Sequence, residues 1–441
     1  MHEWSPEQVA AAAGGRLVAP APHAAGPSRA VIDSRAAGPG DLFVGLVGEH
    51  VDGGRFAAQA LAGGAWGVLV APAHADAARC AMPGAVIAAQ DPLHALQRLA
   101  NAWRRALGCR VVGITGSVGK TSTKDILAAM LAEKLRTVAN RENLNTEIGL
   151  PMTVLEAPAA TEVLVLEMGM RGPGQIAELS AIAEPEVGLI TAVAPVHLEL
   201  MGSIEAIAAA KAELVAGLRT GGTAIVPAGE PLLDAHRRDD ITTVTFGPGG
   251  DVARLPDGLQ LVVTGVGGRE RMSAHMRRNA LAALAAARAV GVEPDGLLEV
   301  ALSGLRGQRI ELPGGIVVVN DCYNANPMSM RAALDDLAAS EVRPPARRVA
   351  VLGDMLELGP DEARFHAEIG AHARAAGVDV LVAVGPRAAH LADGYGEVIA
   401  VPDAQAAAAI VEGLLEPGDV VLLKGSRGVG LEVVARALEG D

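Results

Sequence analysis

Residues Arg110 to Asp125, RVVGITGSVGKTSTKD, restrict the fold more than any other stretch of this 441-residue chain. The apolar run Val111, Val112 and Ile114 reads as a buried strand. Gly113, Gly116 and Gly119 then fall at regular intervals, followed by Lys120, Thr121 and an amphipathic helix. A strand that runs through a tight glycine loop into a helix start can hold a triphosphate. The loop's N–H groups point inward, and the helix dipole adds positive potential. In such a loop Lys120 reaches the β- and γ-phosphates and the Thr121 hydroxyl binds Mg²⁺, with Gly116, Ser117, Gly119 and Ser122 completing the cradle. The strict motif places its first glycine where this chain has Ile114, and Gly113 comes one place early. The competing reading, a glycine-rich turn with a chance Gly-Lys-Thr, is disfavoured by the strand before and the helix after.

Length and composition bound the remainder. At about 100–200 residues per domain, two to four domains are expected. Hydrophobic residues make up 50% of the chain, enough for real cores, and the net charge of −14 with no dense Lys/Arg cluster argues against a nucleic-acid partner. Cys80, Cys109 and Cys322 are odd in number and unrelated in spacing. They resemble neither a disulfide framework nor a metal site, and a reducing cytoplasm fits them. The opening MHEWSPEQVAAAAGG lacks the basic region of a secretory signal, and no long apolar run is free of charge or glycine, so neither export nor a membrane span is expected.

In chain order, the first hundred residues read as a small α/β unit. Ser5 caps a helix through Ala13, and Asp91 caps another that starts at Pro92 and runs to about Arg105. A further helix spans Ala57 to Ala62, and short strands fall at 30–33, 41–46, 66–71 and 84–89. The polar Asp33-Ser34-Arg35 cluster suits a turn as well as a binding segment. Next to the phosphate loop, the asparagine-rich stretch 140–149 reads as a loop near the nucleotide. Glu167 ends the buried strand 163–166, where a parallel sheet opens its ligand crevice, and there it suits a second protein ligand for Mg²⁺. His197 follows the strand 187–193, although a lone histidine is more often a packing or capping residue. Ser203 caps a helix to about Leu218 that carries Lys211, by itself an unremarkable solvated lysine. Strands and turns run from 221 to Gly268, and a helix from His275 to Val290 carries Asn279 on its first turns. From residue 309 strands at 316–319, 349–352, 380–384 and 420–423 alternate with helices and carry polar residues at their carboxyl ends, the sequence form of a doubly wound parallel sheet. The expected architecture is therefore α/β in three domains. They are a small N-terminal substrate domain (1–105), a central P-loop domain with a mostly parallel sheet (106–308) and a C-terminal Rossmann-like domain (309–441).

These segments together resemble the Mur ligase family over nearly the whole chain. The resemblance rests on DSR at 33–35 with GDLFVGLVGE at 40–49, on GITGSVGKTSTKD at 113–125, and on NLNTEIGLP at 143–151. It continues through EMGMRGPGQI at 167–176, HLELMGS at 197–203 and AKAEL at 210–214. DCYNANPMSM at 321–330, VLGDMLELG at 351–359 and LLKGSRG at 422–428 are its most diagnostic segments. It implies an ATP-dependent amide ligase that joins D-alanyl-D-alanine to UDP-N-acetylmuramoyl-tripeptide through an acyl phosphate, in the cytoplasmic stage of peptidoglycan synthesis. A monomer is expected, although the sequence does not fix the oligomeric state. By the same resemblance Lys120, Glu167, His197 and Lys211 serve catalysis, with Thr121, Glu167 and His197 as Mg²⁺ ligands and Lys211 carbamylated. Asn279 meets adenine, Asp321 the ribose and Arg309 the phosphates. Ser34 and Arg35 seat the uridine diphosphate end of the substrate, while Asn145, Thr146, Asn324, Asn326 and the loop 424–427 face the active site. The chain departs from the family pattern at Ala192 and Met276, where asparagine is usual, and at Pro227-Ala228-Gly229-Glu230, where an asparagine-aspartate turn is usual.

Three other readings are compatible with parts of the pattern. A sister ligase that adds the third stem residue would carry DNPR in its last domain, which this chain lacks. Folylpolyglutamate synthase would carry a DGAHNP-like segment where this chain has DCYNANP. A P-loop switch that binds nucleotide without ligating would give Glu167, His197 and Lys211 no reason to occur together.

Overall fold

The structure, a computed structural model, describes residues 1–440 except 2, 22–24, 142, 197 and 265–271. Among the described residues the strands form three large sheets and a small ribbon, in chain order. The N-terminal sheet holds β1 (Arg16–Ala19), β2 (Arg29–Val31), β3 (Asp41–Val44), β4 (Gly67–Val70) and β5 (Ala85–Ala88), in the order β1-β5-β4-β3-β2 with only β1 antiparallel. The central sheet holds β6 (Arg110–Thr115), β7 (Thr137–Ala139), β8 (Val163–Glu167), β9 (Val187–Ile190), β10 (Thr223–Pro227) and β11 (Thr242–Phe246). Its order is β11-β10-β9-β6-β8-β7, parallel throughout. A parallel ribbon pairs β12 (Leu259–Thr264) with β13 (Gly296–Ala301). The C-terminal sheet holds β14 (Gln308–Leu312), β15 (Ile316–Asn320), β16 (Arg348–Gly353), β17 (Val380–Val384), β18 (Ile399–Val401) and β19 (Val420–Lys424), in the order β14-β15-β19-β16-β17-β18 with only β14 antiparallel. This is the expected α/β class, and the parallel strands read as continuous apolar runs because helices cover both faces.

Capping chemistry fixes the helices. Ser5 and Gln8 form a reciprocal capping box on the helix Pro6–Ala13, Asp91 accepts the N–H groups of Leu93 and His94, and Ser203 accepts that of Ala206. The helix Pro92–Leu107 runs between the N-terminal and central sheets, and Leu96, Leu99, Ala100 and Trp103 bury in one core continuous with both. Trp103 donates Nε1–H to the Ala157 carbonyl at 3.0 Å and meets Trp4 edge to face at 5.2 Å, so its ring is satisfied at both its polar and its apolar edges. At the foot of this helix, buried Arg104 pairs with Glu184 at 3.3 Å and with Glu186 at 2.8 Å, and Arg105 and Arg219 also bind Glu184.

On the other face of the central sheet, the helix Ala274–Ala289 packs against the helix Lys120–Ala132. Its run of buried alanines, Ala282, Ala283, Ala285, Ala286 and Ala287, lets the two backbones approach closely. The alanine bias of the sequence is thus used as packing.

Several expected elements end early or were missed. β2 stops at Val31, since Asp33 turns back to accept the Arg35 N–H at 2.9 Å. β9 stops at Ile190, although the apolar run continues to Val193. The strand β1, the helices Pro72–Ala81 and Gly149–Glu156, and β14 and β18 were not expected. The expected end of the 221–268 region, Gly268, lies outside the described residues. Among the described residues no helix is long and apolar enough to cross a membrane.

Candidate active site

The carboxyl ends of β6, β8 and β9 open into a cleft of about 1970 Å³, whose opposite wall is the C-terminal sheet. The phosphate loop forms its floor. Gly116 has φ 148° and a Cβ there would sit 1.9 Å from Thr191 Oγ1. Gly119 has φ 81° and a Cβ would sit 2.4 Å from Asn279 Oδ1. Both positions therefore demand glycine, one by crowding against β9's continuation and the other by backbone conformation and the helix Ala274–Ala289 together.

The segment that leaves β9 braces this loop. Thr191 donates its hydroxyl to the Val118 carbonyl at 2.6 Å, Ala192 accepts the Ser117 N–H at 2.9 Å, and Ser117 Oγ exchanges hydrogen bonds with the backbone of Ala194 at 3.0 and 2.9 Å. Position 192 braces the loop through its carbonyl, which alanine supplies as asparagine would. The Ser117 side chain is engaged in holding the loop.

Lys120 lies at the first turn of the helix and donates Nζ–H to the Gly116 carbonyl at 2.8 Å across the loop. Burial lowers its pKa most, the Glu167 carboxylate raises it, and the Arg306 guanidinium lowers it again. A displaced phosphate oxygen would be a better acceptor for this ammonium than the carbonyl it now holds.

Thr121 is buried and donates Oγ1–H to Glu167 Oε2 at 2.6 Å, while Asn145 donates Nδ2–H to Glu167 Oε1 at 2.8 Å. Glu167 is itself held from behind. Buried Asn140 accepts the Glu167 N–H at 2.8 Å and donates to the Glu167 and Leu144 carbonyls at 3.0 and 2.9 Å. The adjacent Lys124 is buried too, donating to the Asn140 carbonyl at 2.7 Å. The convergence of a hydroxyl and a carboxylate, all oxygen, beside the phosphate loop fits a hard divalent cation that keeps several waters. Among the described residues no set of three His, Cys, Asp or Glu side chains forms a metal cage.

Of the other expected site residues, Ser122, Asn145, Thr146, Asn279, Arg309, Asp321, Asn324 and Asn326 all line the cleft. Asp321 pairs with Lys424 at 2.5 Å, and Lys424 also donates to the Asn324 carbonyl at 3.1 Å. Asn326 caps the helix Pro327–Ala339 through a reciprocal box with Ser329, and Thr146 accepts the Gly149 N–H at 3.3 Å. Lys211 does not reach the cleft surface. It is 2% exposed. Burial and then the Lys120 charge push its pKa well below the usual lysine value. Ser34 and Arg35 lie apart from this cleft on the N-terminal sheet's loops, Ser34 bonded to Gln59 at 3.2 Å and Arg35 to Asp33 at 2.7 Å. His197 lies outside the described residues.

Sequence reasoning missed Asn140, Arg306 and the joined loops of the C-terminal wall, where Leu356 N–H meets Ser426 Oγ at 2.9 Å and Ser426 N–H meets the Asp354 carbonyl at 3.0 Å. The asparagine-rich loop pointed to the first of these. The linker carried no signal for Arg306 beyond its charge.

Comparison with known proteins bears on the same segments. The family profile described as the Mur ligase middle domain matches residues 114–287, that of the Mur ligase glutamate ligase domain matches 305–427, and that of the Mur ligase family catalytic domain matches 30–104. The UDP-N-acetylmuramoyl-tripeptide–D-alanyl-D-alanine ligase of Bacillus subtilis is 36% identical over 428 residues, covering 92% of each chain. Among solved structures, MurF from Acinetobacter baumannii superimposes with a TM-score of 0.83 at 29% identity over 99% of both chains. MurF from Thermotoga maritima in complex with ADP gives 0.79 at 29% identity over 93% of this chain and 97% of that one.

Proposed function

This chain belongs to the Mur ligase family, and we propose that within it the chain is the ATP-dependent ligase that adds D-alanyl-D-alanine to UDP-N-acetylmuramoyl-tripeptide. The observation that carries this reading is the cleft itself, in which the phosphate loop, Lys120 and the Thr121–Glu167 pair face the Asp321–Lys424 wall. The 36% identity over 92% of a relative bearing that name favours this reading over the sister ligases, folylpolyglutamate synthase and a nucleotide switch.

In this mechanism the loop N–H groups and Lys120 neutralise the triphosphate. The terminal carboxylate of the tripeptide attacks the γ-phosphorus, ADP leaves, and an acyl phosphate remains. The amine of D-alanyl-D-alanine then adds to the carbonyl carbon, loses a proton, and expels phosphate from a tetrahedral intermediate. Thr121 and Glu167 would hold Mg²⁺, with His197 as a further ligand by family resemblance; the ion supplies charge neutralisation at the phosphates. Lys120 stabilises charge that grows on the transferring phosphoryl group, and Asn140 and Asn145 keep the Glu167 carboxylate oriented. Asn279 would meet adenine, Asp321 the ribose, and Arg309 the phosphates. Asn145, Thr146, Asn324 and Asn326 would meet the acceptor and dipeptide.

Lys211 would be carbamylated. A buried amine with a lowered pKa is neutral enough to attack carbon dioxide, and the resulting carbamate is an anion beside the Lys120 cation. Mass spectrometry of the intact protein under bicarbonate should show an added 44 Da that Lys211→Ala abolishes; an unmodified wild type would overturn this assignment. Segment 1–105 would bind the uridine end through Ser34 and Arg35, 106–308 the nucleotide, and 309–441 the dipeptide side. The enzyme would act in the cytoplasm as a monomer, without nucleic acid or a membrane span.

The acyl phosphate is tested by labelling the tripeptide's terminal carboxylate with ¹⁸O. One label should appear in the released phosphate. Phosphate without label would exclude this route.

A further inference from the structure

The linker between the central and C-terminal sheets is pinned at both ends. On the central side, Ser303 donates N–H and Oγ–H to the Asp125 carboxylate at 2.8 and 3.2 Å, and Asp125 sits on the helix that begins at Lys120. On the C-terminal side, the Leu305 carbonyl accepts the Tyr323 N–H at 3.2 Å. Between these anchors Leu305 adopts φ 60°, a left-handed conformation that a leucine takes only where its surroundings impose it. The strained residue sets the direction of the next one, Arg306.

The Arg306 guanidinium lies 3.9 Å from the centroid of the Tyr323 ring and lines the cleft. Stacking fixes the plane of a guanidinium while leaving its edge N–H donors free for a planar or tetrahedral anion. Among the described residues those donors meet no carboxylate. Asp125 is taken by Ser303 and Lys124, Asp321 by Lys424, and no other carboxylate among the described residues pairs with Arg306. Arg306 and Lys120 line the same cleft. Two cations on one cleft, one with its donors unspent, suit an anion between them.

We propose that Arg306 is a second arginine of the phosphate site, held on Tyr323 and directed by the linker at the γ-phosphate of ATP. It is distinct from Arg309, which lies inside β14. The loop and Lys120 would hold the triphosphate from the central side, and Arg306 would approach its outer end from the linker. As the substrate carboxylate oxygen bonds to the γ-phosphorus, the bond from that phosphorus to the bridging oxygen breaks, and its electron pair leaves with ADP. Arg306 gives up no proton in this step and contributes charge and two donors that follow the transferred group.

The inference rests on the ligase reading of the same cleft, and the test separates the two. Calorimetric titration compares the β,γ-imido analogue of ATP with ADP, each with Mg²⁺, on wild type, Arg306→Ala, Arg306→Lys and Tyr323→Leu. Arg306→Ala should weaken the triphosphate analogue about tenfold or more while leaving ADP within about twofold, as expected for the loss of a charge-assisted contact to one phosphate. Arg306→Lys should recover part of that loss, and Tyr323→Leu should show a smaller, equally selective loss. If Arg306→Ala weakens both nucleotides alike, or neither, Arg306 is only a linker residue and the inference fails while the ligase reading stands. If Arg306→Ala does not fold, Tyr323→Leu decides by the same criterion. A wild type that binds neither nucleotide would overturn both.

Discussion

Replacing Asn140 by alanine tests whether the Glu167 carboxylate is placed by buried polar chemistry. Asn140 is 1% exposed and satisfies three backbone groups, the Glu167 N–H and the carbonyls of Glu167 and Leu144. Each buried group left without a partner costs about 1–3 kcal/mol, and carbonyls suffer less because a second lone pair can be used elsewhere. Allowing for relaxation, Asn140→Ala should lower the unfolding free energy by about 3 kcal/mol. Urea denaturation should show this as a lower midpoint with an unchanged slope. At temperatures where the variant is folded, kcat/KM should still fall about 10- to 100-fold, the usual effect of losing a group that orients a metal ligand. Asn140→Asp should do no better, because it keeps the acceptor for Glu167 N–H but loses both donors and adds a second negative charge behind Glu167. A variant within about 0.5 kcal/mol of wild type, or one destabilised but fully active, would refute the reasoning.

The remaining predictions concern the loop and the domain junction. Lys120→Met should reduce kcat/KM by about 10²–10³-fold with little change in thermal midpoint, since the proposed role of its charge is at the phosphates and, among the described residues, its hydrogen bond is to the Gly116 carbonyl; a loss of less than tenfold would remove it from the mechanism. Glu184, bound first by Arg105 and also by Arg219 and Arg104, has its carboxyl pulled down to about 2. A depressed carboxylate contributes stability that is present above its unfolded pKa, near 4.5, and is lost as pH falls towards 2. Glu184→Gln should therefore cost about 1–2 kcal/mol at pH 7, after allowance for solvent screening of the exposed Arg105 and Arg219, and the difference from wild type should shrink below pH 4.5. A difference that persists unchanged at low pH would mean that packing, and not charge, is responsible.

What the sequence disclosed follows the range of the interactions involved. Ser5, Asp91 and Ser203 cap helices through partners two or three residues away, so local pattern sufficed to place them. The phosphate loop was legible for the same reason, its glycines, lysine and threonine acting within one turn. The misses depend on distant partners. β1 and β14 are antiparallel additions at sheet edges, short and half-exposed, with none of the apolar continuity that marked the parallel strands. The helix Pro72–Ala81 begins without a side-chain cap, which left Pro72 at its first position as a weak start signal. The run 187–193 looked uniformly apolar, yet the ladder ends at Ile190 because Thr191 to Ala194 are needed to brace the loop of residues 116–118. Asn140 and Arg306 acquire their roles only from Glu167 and Tyr323, residues 27 and 17 positions away. Lys211 was read from the residues alone as a solvated helix lysine, and burial on the inner face of its helix reverses that reading.

The most direct test of the central claim is phosphate release from purified protein with ATP, Mg²⁺ and UDP-N-acetylmuramoyl-tripeptide, with and without D-alanyl-D-alanine. Ligation predicts sustained release only when both acceptor and dipeptide are present, with a product heavier by the dipeptide less water. Release that ignores the dipeptide would contradict the account and assign the C-terminal wall of the cleft to a different amine.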